Sequence, residues 1–395
     1  MKYLLVVPDG VADLPLPELG GRTPLQKAKT PNLDRLVQMG KLGRVQTVPK
    51  ELPSGSDVAS MSLLGYDPRR YYTGRAPLEA AAQGIRLEPQ QVIFRCNLVT
   101  VSEGKMQDYS AGHISSEEAK ELIGALEESL GGERFHFYSG VQYRHLMRTE
   151  GYRQTRCTPP HDIAGKAIAA HLPQGDGAQE LVRLMERSRE ILAAHPVNRK
   201  RREAGKALAT QIWLWGQGTK PDLPSFKEQY RLSGAVISAV DLVRGVGASV
   251  GLEVLNVPGA TGYFDTNYKG KAEHALSALA QKDFLFVHVE STDEAGHMGD
   301  VTLKVQAIED FDRLVVGTLL EGITRFPEHG ILLLPDHTTS TAIRTHTHDP
   351  VPFVVAGTGV ASNGFSAYNE KEASGSSLWI EEGFTLMGRF LERGF

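Results

Sequence analysis

Short apolar runs recur along the chain, and several of them run straight into an aspartate. Tyr3–Val7 leads into Pro8-Asp9-Gly10, Phe284–Val289 precedes Asp293, and Ile331–Leu334 precedes Asp336-His337. Runs of this length, rich in branched and aromatic residues, read as strands buried on both faces, the habit of a parallel sheet. Further strand signals fall at Val92–Phe94 and Asn97–Val101, Ile212–Leu214, Val236–Ile237, Val250–Val257 and Phe353–Val355. Elsewhere the apolar positions switch to helical spacing. Leu33, Leu36 and Val37 follow Thr30-Pro31, a capping residue and a proline suited to a first helical turn, and Gly40 stops the run. Val58, Met61 and Leu64 predict a helix that starts near Ser56. The alternation of strand and helix predicts an α/β fold, a doubly wound and mostly parallel sheet.

The middle of the chain differs in texture. It carries a Glu/Lys-rich helix at Ser116–Leu130, an aromatic stretch at Phe135–Tyr143, the loop Thr158-Pro-Pro-His-Asp162 and a polar helix at Ala178–Ala194. At 395 residues the chain exceeds the usual single-domain size. The expectation is a discontinuous core, residues 1–98 and 201–395, with a smaller α/β unit inserted at residues 99–200.

Composition narrows the class. Hydrophobic content of 41% and charged content of 23% suit a globular protein with sizeable cores. A formal net charge of −4 gives no bulk attraction to nucleic acid or to an anionic membrane, and the basic run Arg199–Arg202 is short. With only Cys96 and Cys157 there is no disulfide framework and no thiolate cluster, which fits a reducing cytoplasm. No apolar stretch approaches membrane-spanning length, and the first is too short for a signal peptide. The chain reads as cytoplasmic, with no nucleic-acid or membrane partner, and carries no signal for an oligomeric state.

The chemistry lies where the strands end. Three strands ending in carboxylates, two with histidines close by, predict a metal centre at the carboxyl edge of the sheet, where open α/β sheets place their sites. Asp293 and His297 stand four apart and share a face if a helix starts there, while Asp336 and His337 are adjacent and diverge if extended. With His346 added, three Asp and three His exceed one tetrahedral zinc and suit two ions, which typically clamp a phosphoryl group. Ser56 follows Gly55 at a predicted helix N-terminus, where dipole and free N–H groups stabilise an alkoxide or a phosphate. It reads as a nucleophile; the plain alternative is that Ser54 or Ser56 only caps the helix.

Taken in order, Pro8-Asp9-Gly10, Gly55-Ser56-Asp57-Val58-Ala59, Asp293-xxx-His297-xx-Asp300, Asp336-His337 and His346-Thr-His-Asp-Pro-Val-Pro352 resemble the alkaline phosphatase superfamily. They resemble most its archaeal-type, cofactor-independent phosphoglycerate mutases, those that need no 2,3-bisphosphoglycerate. The resemblance extends to Tyr72–Glu79, Val141–His145, Pro160–Ile163, Trp213–Gly218 and Gly259–Tyr268, nearly the whole chain. It implies an alkaline-phosphatase-like core and two divalent ions, Mn²⁺ or Zn²⁺. Asp293, His297 and His346 would hold one ion; Asp9, Asp336, His337 and Ser56 would hold the other. Ser56 would be phosphorylated in passing, and the partner would be a small phosphorylated metabolite, 3- or 2-phosphoglycerate. Arg75, Asp108, His113, Arg144, His161 and Asp162 are the candidate substrate-binding residues.

One segment departs from the pattern. Where archaeal-type mutases typically show Asp-Arg-Arg-Ala-Gly-Arg, this chain has Asp108-Tyr-Ser-Ala-Gly-His113. A branch resembling proposed homoserine kinases carries a similar segment, and Arg75, Arg144 and Arg199–Arg202 could replace the lost charge. Three functions therefore follow: an intramolecular phosphotransferase, phosphorylation of an amino-acid hydroxyl, or a metal-stabilised scaffold without catalysis. No GxxxxGK[ST] loop occurs, so a kinase here is not of the P-loop type.

Overall fold

In the computed structural model, which describes all 395 residues, the apolar runs build an eight-stranded sheet. Its order is Trp379–Ile380, Lys41–Val45, Val351–Gly357, His329–Leu333, Lys2–Pro8, Phe284–Val289, Gly234–Ile237 and Glu253–Val254. Only Val351–Gly357 runs against the others, pairing antiparallel with both neighbours. The central strand Lys2–Pro8 lies parallel to Phe284–Val289 and to His329–Leu333. The three strands that lead into Asp9, Asp293 and Asp336 are therefore neighbours, with their carboxyl ends on one edge. Phe284–Val289 is buried at every position, which is why it reads as a continuous apolar run rather than an alternating one.

Two local expectations differ from the structure. The run Val250–Val257 forms only the short strand Glu253–Val254, because the helix Asp241–Ser249 carries through to Val250 and Gly251, at φ 77°, turns the chain. The helix Pro31–Gln38 has no side-chain cap from Thr30. Asp312 serves instead, accepting the N–H groups of Asn32 at 3.3 Å and Leu33 at 2.7 Å.

The chain divides into two compact units, one of Met1–Tyr72 with Asp222–Phe395, the other of Thr73–Pro221. The second unit is wider than the 99–200 read from the sequence. Gln91–Ser102 is one unbroken strand, pairing antiparallel with Arg144–Glu150 and with Gln211–Thr219, so a boundary at residue 98 would cut it. Helices Ser116–Leu130 and Ala178–Ala194 pack on this sheet through Leu122, Leu126, Leu181 and Met185, which share a core with Phe94, Leu98 and Trp213. The basic run lies on the helix Pro196–Glu203. Arg201 is buried there, 2.5 Å from Glu118 and bonded to the carbonyls of Ala111 and Ala207, so its charge is committed to this unit's packing.

Candidate active site

The first unit gathers its acidic strand ends at one point. Gly10, at φ 57°, turns the chain directly after Asp9, and its N–H donates to Asp336 Oδ1 at 3.2 Å. A Cβ on Gly10 would lie 2.2 Å from Thr339 Oγ1 and 2.6 Å from Asp293 Oδ1, so only glycine fits. Asp293 and His297 share a face of the helix Ser291–Met298, with His297 Nε2 3.2 Å from Asp293 Oδ2. Asp336 and His337 sit in a bend rather than an extended strand. Both therefore face Asp9: His337 Nε2 lies 3.5 Å from Asp9 Oδ1 and 3.3 Å from Asp336 Oδ2. His346 Nε2 lies 3.3 Å from Asp293 Oδ1 and 2.8 Å from His297 Nε2. The structure thus brings Asp9, Asp293, His297, Asp336, His337 and His346 together.

Ser56 belongs to the same cluster. It is the first residue of the helix Ser56–Leu63, follows Gly55, and makes no capping bond. Its Oγ lies 3.1 Å from His337 Nε2 and 3.4 Å from Asp9 Oδ2. Ser54 Oγ donates instead to the carbonyl of Thr347 at 2.9 Å. Neither serine caps this helix. Its first intrahelical bond runs from Ala59 N–H to Gly55 C=O, so the N–H groups ahead of it lie outside the helical ladder.

Three polar groups that the sequence pattern does not single out join the cluster. His288, fully buried in Phe284–Val289, has Nε2 3.1 Å from Asp9 Oδ2, and Glu290 forms a group with Asp9 and Asp293. Thr339 Oγ1 donates to Asp293 Oδ1 at 2.5 Å and lies 3.2 Å from His337 Nδ1. A histidine inside an apolar run reads as a core residue. The signal that could have found His288 is its place one step before the end of a strand whose neighbour leads into Asp9.

The cluster crowds like charges out of reach of water. Burial, then the charges of Asp336, Asp293 and Glu290, raise the Asp9 carboxyl well above its ordinary range. Burial raises Glu290 well above its range too, helped by Asp293. Burial also works to raise Asp293, but hydrogen bonds from His297 and His346 hold it well below its usual value. The bond to Asp293 pushes His297 up to about 9, whereas burial pushes His288 down to about 4. Asp9 Oδ1, Asp336 Oδ2, His288 Nε2 and Glu290 Oε2 are all buried without a hydrogen-bond partner. Crowded carboxylates with orphaned oxygens are costly in a protein interior, and a divalent cation relieves both penalties. Oxygen and imidazole donors together suit such an ion.

The remaining candidates lie in the second unit. Tyr109, Tyr143, His113, His161 and Trp215 make a chain of edge-on ring contacts there, with Arg144 over Tyr143 at 5.7 Å and Arg95 over Trp215 at 4.3 Å. Burial lowers the pKa of His161; Asp162 works against that shift, while Arg75 and Arg95 add to it. Asp162 lies beside His161 at 3.7 Å, and Arg75 opens the helix Arg75–Ala82. Asp108 is occupied locally: it accepts the N–H groups of Ser110 and Gly112 at 2.7 Å each and the Ser110 hydroxyl at 2.6 Å.

Known proteins match the chain along its whole length. The family model described as 2,3-bisphosphoglycerate-independent phosphoglycerate mutase matches residues 38–198. A protein of that description from Methanothrix thermoacetophila is 52% identical over 388 residues, covering 98% of each chain. One from Geobacter sulfurreducens, described as probable, is 49% identical and covers 100% of each. Among solved structures, the cofactor-independent phosphoglycerate mutase of Thermoplasma acidophilum is 30% identical, with a TM-score of 0.70 and 100% of both chains covered. A Pyrococcus horikoshii protein is 31% identical, with a TM-score of 0.85, covering 99% of this chain and 97% of its own. The chain belongs to the 2,3-bisphosphoglycerate-independent phosphoglycerate mutase family.

Proposed function

We propose that this protein interconverts 3-phosphoglycerate and 2-phosphoglycerate through a phosphoserine at Ser56. The observation that carries the reading is the Ser56 hydroxyl, held at a helix N-terminus 3.1 Å from His337 and 3.4 Å from Asp9 in a buried cluster of carboxylates and imidazoles. Relatives 47 to 52% identical over nearly the full chain bear the mutase description, which favours this reading over homoserine phosphorylation or an inert scaffold.

In this reading Asp293, His297 and His346 hold one divalent ion, and Asp9, Asp336, His337 and Ser56 hold a second, with Mn²⁺ or Zn²⁺ suited to the donors. Such ions lower the pKa of a serine hydroxyl and offset charge on a transferring phosphoryl group. Ser56 Oγ attacks phosphorus, the bond from phosphorus to the C3 oxygen breaks, and glycerate is left beside phosphoserine. The C2 hydroxyl then attacks the same phosphorus and Ser56 is restored, so no nucleotide is consumed. The N–H groups at the start of Ser56–Leu63 face the charge that builds on the phosphoryl oxygens. Thr339, bonded to Asp293 and beside His337, holds both side chains in register. Arg75, Arg144, His113 and His161 are the candidates for gripping the substrate's anionic groups, with Asp162 positioning His161. Two unpaired thiols, Cys96 and Cys157, fit the reducing cytoplasm.

The test is direct. With 3-phosphoglycerate and Mn²⁺ but no nucleotide, the protein forms 2-phosphoglycerate. Phosphorylation of homoserine at the expense of ATP, without mutase turnover, would reject the reading.

A further inference from the structure

The geometry points to His288 as a fourth imidazole ligand of the metal centre, completing the ion site of Asp9 and Asp336. This rests on the two-ion reading above and adds a residue to it. Three of the orphaned buried atoms, Asp9 Oδ1, Asp336 Oδ2 and His288 Nε2, belong to residues that form one of the candidate ion-binding groups, all three fully buried. His288 Nε2 lies only 3.1 Å from Asp9 Oδ2, yet it makes no hydrogen bond there. A ring nitrogen at that distance and out of hydrogen-bonding alignment is placed for a shared cation rather than for a proton.

The far side of each ring supports the same conclusion. Metal-bound histidines usually anchor their other nitrogen on an oxygen, which fixes tautomer and ring orientation. His297 Nδ1 faces the carbonyl of Arg344 at 3.1 Å, His346 Nδ1 the carbonyl of Ser54 at 3.0 Å, and His337 Nδ1 the hydroxyl of Thr339 at 3.2 Å. His288 repeats this pattern, with Nδ1 3.2 Å from Ser238 Oγ. Ser238 Oγ is itself fixed, accepting the N–H of Val240 at 3.0 Å, and has a second lone pair for the ring N–H. All four rings therefore anchor Nδ1 and leave Nε2 toward the carboxylates.

The probe is Co²⁺, loaded into the full-length protein, with proton NMR of the paramagnetically shifted ring N–H signals. Each ligating imidazole anchored through Nδ1 contributes one such exchangeable signal, so four are expected. His288→Phe, which keeps a buried ring, should remove one signal and weaken binding of one of the two ions at least about tenfold by chelator competition. Ser238→Ala should keep the protein folded and shift or broaden the same signal. Three signals in the unaltered protein, or four retained in His288→Phe, would overturn the inference while leaving the two-ion reading in place. Absence of any shifted signal would overturn both. The count in the unaltered protein decides the matter even if His288→Phe fails to fold.

Discussion

At the scale of single residues, the site separates groups that react from groups that hold. Ser56 makes no capping bond, so its removal leaves the helix start intact. Ser56→Ala should lower mutase turnover by about a thousandfold or more, the usual scale for losing a covalent nucleophile. Circular dichroism should be unchanged, and elemental analysis should still find metal. Retained turnover would mean that phosphate bypasses the serine. Lys304 is a holding group. Its buried ammonium bonds Asp13 at 2.9 Å and the carbonyl of Thr339 at 2.6 Å, tying the loop after the first strand to the segment that carries His337. Lys304→Met alone should cost about 3–5 kcal/mol by leaving the Asp13 charge buried without its counter-charge. Lys304→Met with Asp13→Asn should cost clearly less. Equal losses in urea unfolding would show that the unpaired Asp13 charge is not what makes the single replacement costly.

At the scale of elements, three strand ends carry the site, and they are legible in the sequence because each apolar run is followed by an aspartate. The bend at Asp336-His337 is less legible. Adjacent residues in an extended strand diverge, whereas here both side chains turn toward Asp9. His288 is hidden by its apolar neighbours, and Asp312 by the distance in sequence from the helix it caps. The bounds of the second unit are blurred because Gln91–Ser102 and Gln211–Thr219 carry buried apolar runs, Val92–Phe94 and Ile212–Trp215, of the same kind as the strands of the large sheet. The turn at Gly10 gives the sharpest test at this scale. Gly10→Ala must accept a left-handed conformation, costing about 1–2 kcal/mol, and must also displace Thr339 and Asp293. Metal affinity should therefore fall by more than about tenfold while the thermal midpoint drops only a few degrees. A variant with lower stability and unchanged metal affinity would show that the turn serves the fold alone.

At the scale of the molecule, the second unit has its own sheet, helices and core, and its ends meet: Thr73 Oγ1 donates to the carbonyl of Thr219 at 2.6 Å. Chain ends that lie together are what an inserted, separately folding unit requires. Its response to pH should be set in part by His145, which is buried in the strand Arg144–Glu150. The ring accepts the N–H of Gly140 at Nδ1 across 3.0 Å, and burial pushes its pKa down to about 3. The folded form therefore keeps this ring neutral where the unfolded chain, near 6.5, takes up a proton. Between those values the unfolded state binds more protons, so stability is full above about pH 6.5 and declines as the pH falls toward 3. The decline attributable to this ring is about 1.4 kcal/mol per pH unit, or about 2 kcal/mol by about pH 5. Residues 73–221, expressed alone, should unfold cooperatively in urea and lose stability along that slope. His145→Gln should flatten the slope between about pH 6.5 and about pH 5, while costing some stability at about pH 7.5, where the native ring is neutral in both states. An identical slope in the variant would show that other groups govern the acid response of this unit.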